Sequence, residues 1–458
     1  MIYTKDVPEI ASPDVLVLGG GPAGFCAAVA AAECGCAVTL VEKNGFCGGM
    51  ATAGLVAPFM TCYDSGGGVR LIRGLFERIV SRLVSTGDAI DPSLCDAPSA
   101  FTSYITVGHR RVTPFRSEAL KLLCDRMLEE SGVRVLYHTS FVDVEREGSR
   151  ISSVILHRKN GLCCMRPKIV VDCTGDADAA AAAGCGFEFG DEASGRVQPA
   201  TMFFRIGNVD SSKIEEDYRK NVNNFYRIDG VNYRSLHWWV SKARDAGDWT
   251  LDRVSVGLFR GVDPDEWSIN TSRIMGIDGT DSESLTRAEI EGRRQCDEIF
   301  RFFRKYVPGC ENAKLLQTGS TVGIRETRHI KGLKKLTAED VLGCRVPEDS
   351  VFVCANSVDV HGRFGPKSNE YIALPEGQYY GIPYGTLVPE DVSNMLVAGR
   401  PFSADSTAAG AVRVMPPCMA MGEAAGCAAA LSLKESCEPG ALDVLKLRAL
   451  LESRGVFL

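Results

Sequence analysis

Short apolar runs without alternation recur towards both ends of the chain: Val15 to Leu18, Ala37 to Val41, Ile169 to Cys173 and Met395 to Ala398. Runs of this length, bounded by glycine or acidic residues, predict strands of a parallel sheet buried on both faces. Between the first two lies Phe25 to Glu33, rich in alanine, which predicts a helix and completes a βαβ unit. Further on, Leu120, Leu123, Met127 and Leu128 fall at helical spacing and mark one apolar face. Two or three alternating strands follow, turning at Glu147-Gly148-Ser149. The middle of the chain reads differently. "QPATMFFRIGNVD" predicts a strand leaving the first domain, "NYRSLHWWVSKARDAGDW" an aromatic-rich helix and loop, and Val351 to Val360 a further apolar strand. Near the end, small residues from Met419 to Ala430 predict a helix that packs closely against the first one.

These elements predict a doubly wound, Rossmann-like α/β domain made of residues 1–200 and 386–458, with an α+β domain inserted at 201–385. At 458 residues the chain is long enough for two such domains. Composition agrees with a globular α/β protein: 45% of residues are hydrophobic, 24% are charged, and glycines number 47. A formal charge of −7, with no dense Lys/Arg run, argues against nucleic acid as a partner. The longest apolar stretches are interrupted well short of the roughly 20 residues a membrane helix needs. The opening "MIYTKDVPEIASP" is short and polar and predicts no signal peptide. The 18 cysteines are scattered, with no CxxC pair and no four-ligand cluster, so they predict buried thiols in a reducing cytoplasm rather than a metal or cluster site.

Chemistry enters at "LVLGGGPAGFCAAVAAAECGCAVTLVEK". Gly19, Gly21 and Gly24 have GxGxxG spacing between a strand and a helix. The first permits a tight turn, the second lets backbone approach a pyrophosphate, and the third lets helix pack on strand. The helix start, Pro22 and Ala23, offers N–H groups and the positive end of a dipole. Glu42 closes the second strand, where a carboxylate can accept from a ribose 2′-OH and would repel a 2′-phosphate. Strand, glycines, helix, strand and acid in this order predict a bound dinucleotide.

The continuation "KNGFCGGMATAGLVAP" resembles the FAD-dependent oxidoreductases of the glutathione-reductase type 2 group. There an E-K-x-x-x-x-GG loop covers the pyrophosphate and reaches the flavin, which implies FAD contacts for Lys43, Gly48, Gly49, Met50 and Ala51. The resemblance also implies a backbone contact to adenine near Phe141 and Val142. "DCTGDADAAAAAG" is similar to the ATG-type motif of these enzymes and puts Thr174, Gly175 and Asp176 near the cofactor, with Asp178 beside them as a partner or a helix cap. "NMLVAGRPFSADSTAAGAVRVMPPCMAMGEAAG" is similar to the C-terminal flavin motif of the family catalogued as FAD-dependent oxidoreductase. It implies cofactor proximity for Gly399, Arg400, Val412 and Arg413. Arg400 stands where many flavoproteins carry an acid. Pro416 and Pro417 suit the first turn of a helix whose N-terminus can stabilise negative charge on a reduced flavin.

Substrate chemistry is then expected from the middle segment. Arg325 and Arg328 flank Glu326 in "TGSTVGIRETRHIKG", similar to a G-x-R-E-[TS]-R element of that family; the pair suits either a clamp on a carboxylate or a salt-bridge cluster between domains. His361 ends "ANSVDVHG" and is a candidate general base, with a structural hydrogen-bonding role as its alternative. Tyr380, beside Tyr379 and ahead of Ile382-Pro383-Tyr384, is a second candidate, on a stretch expected to return over the flavin ring. His237, Trp238 and Trp239 suit either a substrate cavity or the core of the inserted domain. Cys47 raises covalent FAD attachment against an ordinary buried thiol.

The leading expectation is an oxidoreductase exchanging hydride between FAD and a small organic substrate, in the dehydrogenase or oxidase direction. His361, Arg325 and Arg413 would serve as base, anchor and charge stabiliser. Two alternatives stand beside it: a C=C reductase fed by NAD(P)H or a partner flavoprotein, and an electron-transfer subunit resembling the flavin domain of heterodisulfide-reductase-type complexes, whose flavin serves a partner protein. A homodimer is the default assembly.

Overall fold

The computed structural model describes residues 4–60, 62–105, 110–229, 231–365 and 369–458. At its centre lies a five-stranded parallel sheet in the spatial order Met395–Val397, Ile169–Asp172, Val15–Leu18, Val38–Val41, Arg134–Leu136. Nearly every residue of the three inner strands is fully buried, as unalternating apolar runs require. The chain winds outward from Val15–Leu18 to one edge and then returns to its other side, so a switch point opens between Leu18 and Asp172. Ligands of doubly wound sheets lie at the carboxyl ends of the strands at such a point.

Helix Pro22–Glu33 is apolar all round, because it lies between this sheet and helix Met415–Glu435. The small-residue pattern explains how close the two helices come. A Cβ on Gly422 would sit 2.0 Å from the Ala23 carbonyl oxygen, and one on Gly426 would sit 2.3 Å from that of Ala27. The bent pair Ser406–Val412 and Met415–Glu435 has the length and apolarity of a broken membrane span, but it turns by 95° and its residues are almost all buried in the core. Among the described residues no single helix is long and apolar enough to cross a membrane.

Strands Ser140–Glu147, Arg150–Arg158 and Gly161–Met165 form an antiparallel meander, with Glu9–Ala11 added in parallel at its edge. Its first turn falls at Gly148-Ser149, where Gly148 takes φ +63°. A second antiparallel sheet, ordered Leu258–Arg260, Trp267–Ile269, Phe204–Gly207, Lys314–Thr318, packs on the 25-residue helix Ser282–Tyr306 through Phe204, Ile206, Ile269, Ile299, Phe302 and Phe303. This second core draws mainly on residues 200–322. Residues 336–388, part of the segment expected to be inserted, contribute instead to the core around the first helix.

The apolar run expected as one strand from Val351 to Val360 is broken. Ser350–Cys354 pairs with Tyr380–Pro383, whereas Val358–Val360 pairs with Glu370–Ile372. Between them the Asn356 side chain donates to the Ala411 carbonyl (2.8 Å) and redirects the chain.

Candidate active site

The loops at the carboxyl ends of the parallel strands and the root of the second sheet enclose one cavity of about 570 Å³. That is within the range of ligand and cofactor sites. Of the residues expected to hold the cofactor, Gly19, Gly21, Pro22, Ala23, Glu42, Lys43, Gly49, Met50, Thr174, Gly175, Asp176, Gly399, Arg400 and Arg413 line it.

The glycines divide their labour as the spacing predicts. Gly19 has φ +94°, and a Cβ there would meet the Cys173 carbonyl oxygen at 2.5 Å. On Gly24 it would meet the Gly19 carbonyl oxygen at 1.8 Å, whereas on Gly21 it would meet nothing within 4 Å. Gly21 therefore keeps space open towards the cavity. The first bond of the helix runs from the Phe25 N–H to the Gly21 oxygen (2.9 Å), leaving the N–H groups of Ala23 and Gly24 without partners inside the helix. Glu42 is buried at the cavity edge: it accepts from the Gly20 N–H (2.7 Å), the Asn44 N–H (2.8 Å) and the Asn44 side chain (2.7 Å). A carboxylate has about four acceptor sites, so capacity for a hydroxyl donor is left. Open space at Gly21, free helix-start N–H groups and an acceptor at the next strand end fit the pyrophosphate and ribose of FAD.

The middle of the cavity is held by a carboxylate that sequence reasoning passed over. Asp172, the last residue of its strand, accepts from the Thr174 N–H (3.0 Å) and hydroxyl (2.7 Å) and from the Ala180 N–H (2.9 Å). Burial pushes its pKa up and these donors oppose the rise. It thereby shapes the Thr174-Gly175-Asp176 turn. Arg400, the departure from the common pattern, donates to Asp176 (2.7 Å) and Thr327 (2.9 Å) and so orients that turn from the carboxyl end of the neighbouring parallel strand.

At the far end stand Arg325, Asp359, His361, Arg413 and Met415. The His361 Nε2 is 3.4 Å from the Asp359 carboxylate, and its backbone N–H donates to Gln198 (3.1 Å). Burial, followed by the charge of Arg325, lowers the His361 pKa to about 3. Arg325 donates to the Pro199 carbonyl and to the Thr201 hydroxyl (2.7 Å), and Arg413 donates to the Asp359 carbonyl (2.9 Å). Helix Met415–Glu435 begins beside Arg413. Pro416 and Pro417 remove two of its first-turn N–H groups, leaving the Met415 N–H and the dipole facing the cavity.

Several expectations are corrected. Tyr380 is fully buried away from the cavity, its hydroxyl donating to the Asn356 carbonyl (3.1 Å) in the core, and the Ile382-Pro383-Tyr384 stretch does not pass over a flavin site. Val412 ends helix Ser406–Val412 with its side chain in the core; the adjacent Arg413 faces the cavity. Val142 is 46% exposed and does not line the cavity, whereas Phe141, expected together with it, does, as does Ser140. Gly24, inside the first helix, and Gly48 and Ala51, in the loop after Glu42, do not line the cavity. Gly48, at φ +105°, donates to the Gly20 carbonyl (2.8 Å).

Arg325 and Arg328 do not face one site. Their segment is extended rather than helical, so Arg328 turns to the Asp176 carbonyl (2.9 Å) and Asp178 (3.1 Å). Glu326 binds neither, being paired with Arg363 (2.8 Å). Trp238 and Trp239 both donate to Asp217 (3.0 and 2.9 Å), and His237 packs beside them, so all three belong to the second core and its rim. Cys47 is buried beneath Gly20, with burial raising its pKa to about 12, and does not reach the cavity.

A dinucleotide cradle at the switch point, continuous with a cavity edged by histidine and arginine, defines a flavin-dependent redox enzyme. The family described as FAD dependent oxidoreductase matches residues 14–451, and the chain belongs to it. FAD is its cofactor. Thiamine thiazole synthase of Aeropyrum pernix is 31% identical over 173 residues, covering 35% of this chain. The chain spans about half (54%) of that curated relative's length. Solved structures with a similar course include a geranylgeranyl bacteriochlorophyll reductase-like protein of Thermoplasma acidophilum, at TM-score 0.47 and 13% identity over 97% of this chain and 84% of that one. Another is p-nitrophenol 4-monooxygenase of Pseudomonas putida, at TM-score 0.45 and 11% identity over 96% and 86%.

Proposed function

We propose that the chain oxidises a small organic substrate at the end of the cavity edged by His361, Arg325 and Arg413. The observation that carries this reading is continuity: the cradle of Gly21, Glu42 and Thr174 and the histidine–arginine end line a single cavity. FAD supplies hydride exchange with the substrate at flavin N5. The chain's residues supply the rest. Gly21, Ala23, Glu42, Thr174, Gly175 and Gly399 hold the cofactor. Arg413 and the start of helix Met415–Glu435 set positive charge at the cavity's inner end.

A substrate that gives up a hydride also sheds a proton from an adjoining O–H or N–H group. His361 is held neutral by burial and by Arg325, so it enters the reaction able to accept that proton. An imidazole whose Nε2 hydrogen faces the Asp359 carboxylate at 3.4 Å would keep its Nδ1 lone pair for that proton.

The test is anaerobic reduction of bound flavin, with alcohols, amines and hydroxy acids screened for bleaching of its visible band. His361→Ala is expected to keep full FAD content and to slow bleaching by about 10²-fold or more. Unchanged kinetics in the variant would overturn the assignment, and bleaching by NADH or NADPH alone would overturn the direction.

A further inference from the structure

Arg325 and Arg413 line the substrate end of the cavity, and Arg234, Arg253 and Arg273, outside its lining, lie near enough to act on them or on one another. The field of one carboxylate, Asp359, reaches Arg234, Arg253, Arg325 and Arg413, and Asp252 adds a second at Arg253 and Arg273. Glu326 also acts on Arg413 but is already engaged by Arg363. Arg273 reaches across to the loop that follows His361, donating to the Gly362 carbonyl (3.0 Å) and to Asn369 (2.9 Å). Among the described residues, this side of the site therefore holds more positive than negative charge.

The hydrogen bonding is incomplete in the same place. Among the described residues, the Nε atoms of Arg253, Arg273 and Arg413 and the Nη1 of Arg273 are buried without a partner. Guanidinium N–H groups shut away from water are costly unless an acceptor meets them, and planar oxyanions meet them best. The role of pinning the two cores together is met by the Nη bonds already described and does not account for the unpaired groups.

We propose that these arginines, with Arg325 and Arg413 at the front and Arg253 and Arg273 behind, form a subsite for an oxyanion substituent of the substrate, a carboxylate or a phosphate. This deepens the function proposed above and rests on its placing of the substrate at this end. Burial first, and then the charges of Arg325 and Arg413, hold the His361 pKa low; an anion seated there would offset the charge part and so strengthen it as a proton acceptor. Binding of the charged part of the substrate would thus prepare the base for its reactive part.

The experiment uses purified FAD-loaded protein at fixed ionic strength and follows the visible flavin band during titration with succinate, its neutral diamide, inorganic phosphate and chloride. A shift that saturates with succinate or phosphate, at least tenfold tighter than with the diamide or chloride, is expected. The tighter of the two anions identifies carboxylate or phosphate as the group. Arg253→Met is expected to weaken that binding at least tenfold while leaving FAD content unchanged. Arg273→Lys, which keeps the charge, serves as a second variant should Arg253→Met fail to fold, and is expected to weaken it several-fold. Equal response to the diamide or chloride, or no response to any anion, would overturn the subsite, as would unchanged affinity in the variant that folds. Anion binding that persists while His361→Ala reduces normally would leave the subsite standing and remove the catalytic assignment alone.

Discussion

Gly21 and Gly24 belong to one motif but face opposite surroundings, and substitution should separate cofactor binding from folding. Gly21 has φ −67° and ψ −174°, a conformation open to any L residue, and its added Cβ would meet nothing within 4 Å. Gly21→Ala should therefore change the stability of the FAD-free chain by less than about 1 kcal/mol, the scale of an exposed helix N-cap change. The new methyl group would occupy the space through which a pyrophosphate approaches. Overpacking there costs about 1–3 kcal/mol, which is roughly 5- to 150-fold in FAD affinity. Gly24→Ala is the reverse. Its Cβ would lie 1.8 Å from the Gly19 carbonyl oxygen, so helix and strand must part, and the helix-propensity gain of about 1 kcal/mol cannot compensate. The FAD-free chain should lose about 3 kcal/mol or more. Thermal melts with and without added FAD, together with flavin content per protein, measure both effects. Gly21→Ala retaining full FAD affinity, or Gly24→Ala melting with the parent, would refute the division of roles.

Other outcomes follow from single side chains. Burial holds the folded His361 pKa near 3, below its unfolded value of about 6.5, so its contribution to stability is complete above the unfolded value and is lost as pH falls from about 6.5 to 3. At about 1.4 kcal/mol per pH unit this amounts to about 5 kcal/mol at most; His361→Gln should flatten that part of the pH–stability curve in denaturant melts. Tyr380→Phe should leave flavin reduction unchanged and lower stability by about 1 kcal/mol, the worth of its bond to Asn356; a large rate loss would return Tyr380 to the site. Denaturation should release all the FAD from the unmodified protein, and Cys47→Ala should bind it as fully, because the thiol is packed beneath Gly20.

The sequence by itself determined the nucleotide half of this protein. Unalternating apolar runs need a sheet covered on both faces, and the glycines answer local demands of φ and clearance that any chain folding this way must meet. The sheet, the cradle at Gly19 to Gly24, Glu42 and the Ala/Gly contact between the first and last long helices were legible for that reason. Tertiary structure decided the substrate end. A spacing of three cannot tell whether Arg325 and Arg328 share a face until the backbone is known to be extended there. Nor can an apolar run show that it will break at Asn356, leaving His361 at a cavity edge and Tyr380 in the core. The arginines at 234, 253, 273, 325 and 413 lie far apart in sequence and become one group only when the second sheet, the His361 loop and the start of helix Met415–Glu435 meet. Their joint field acts through space, and spatial proximity between distant segments is not written in local pattern.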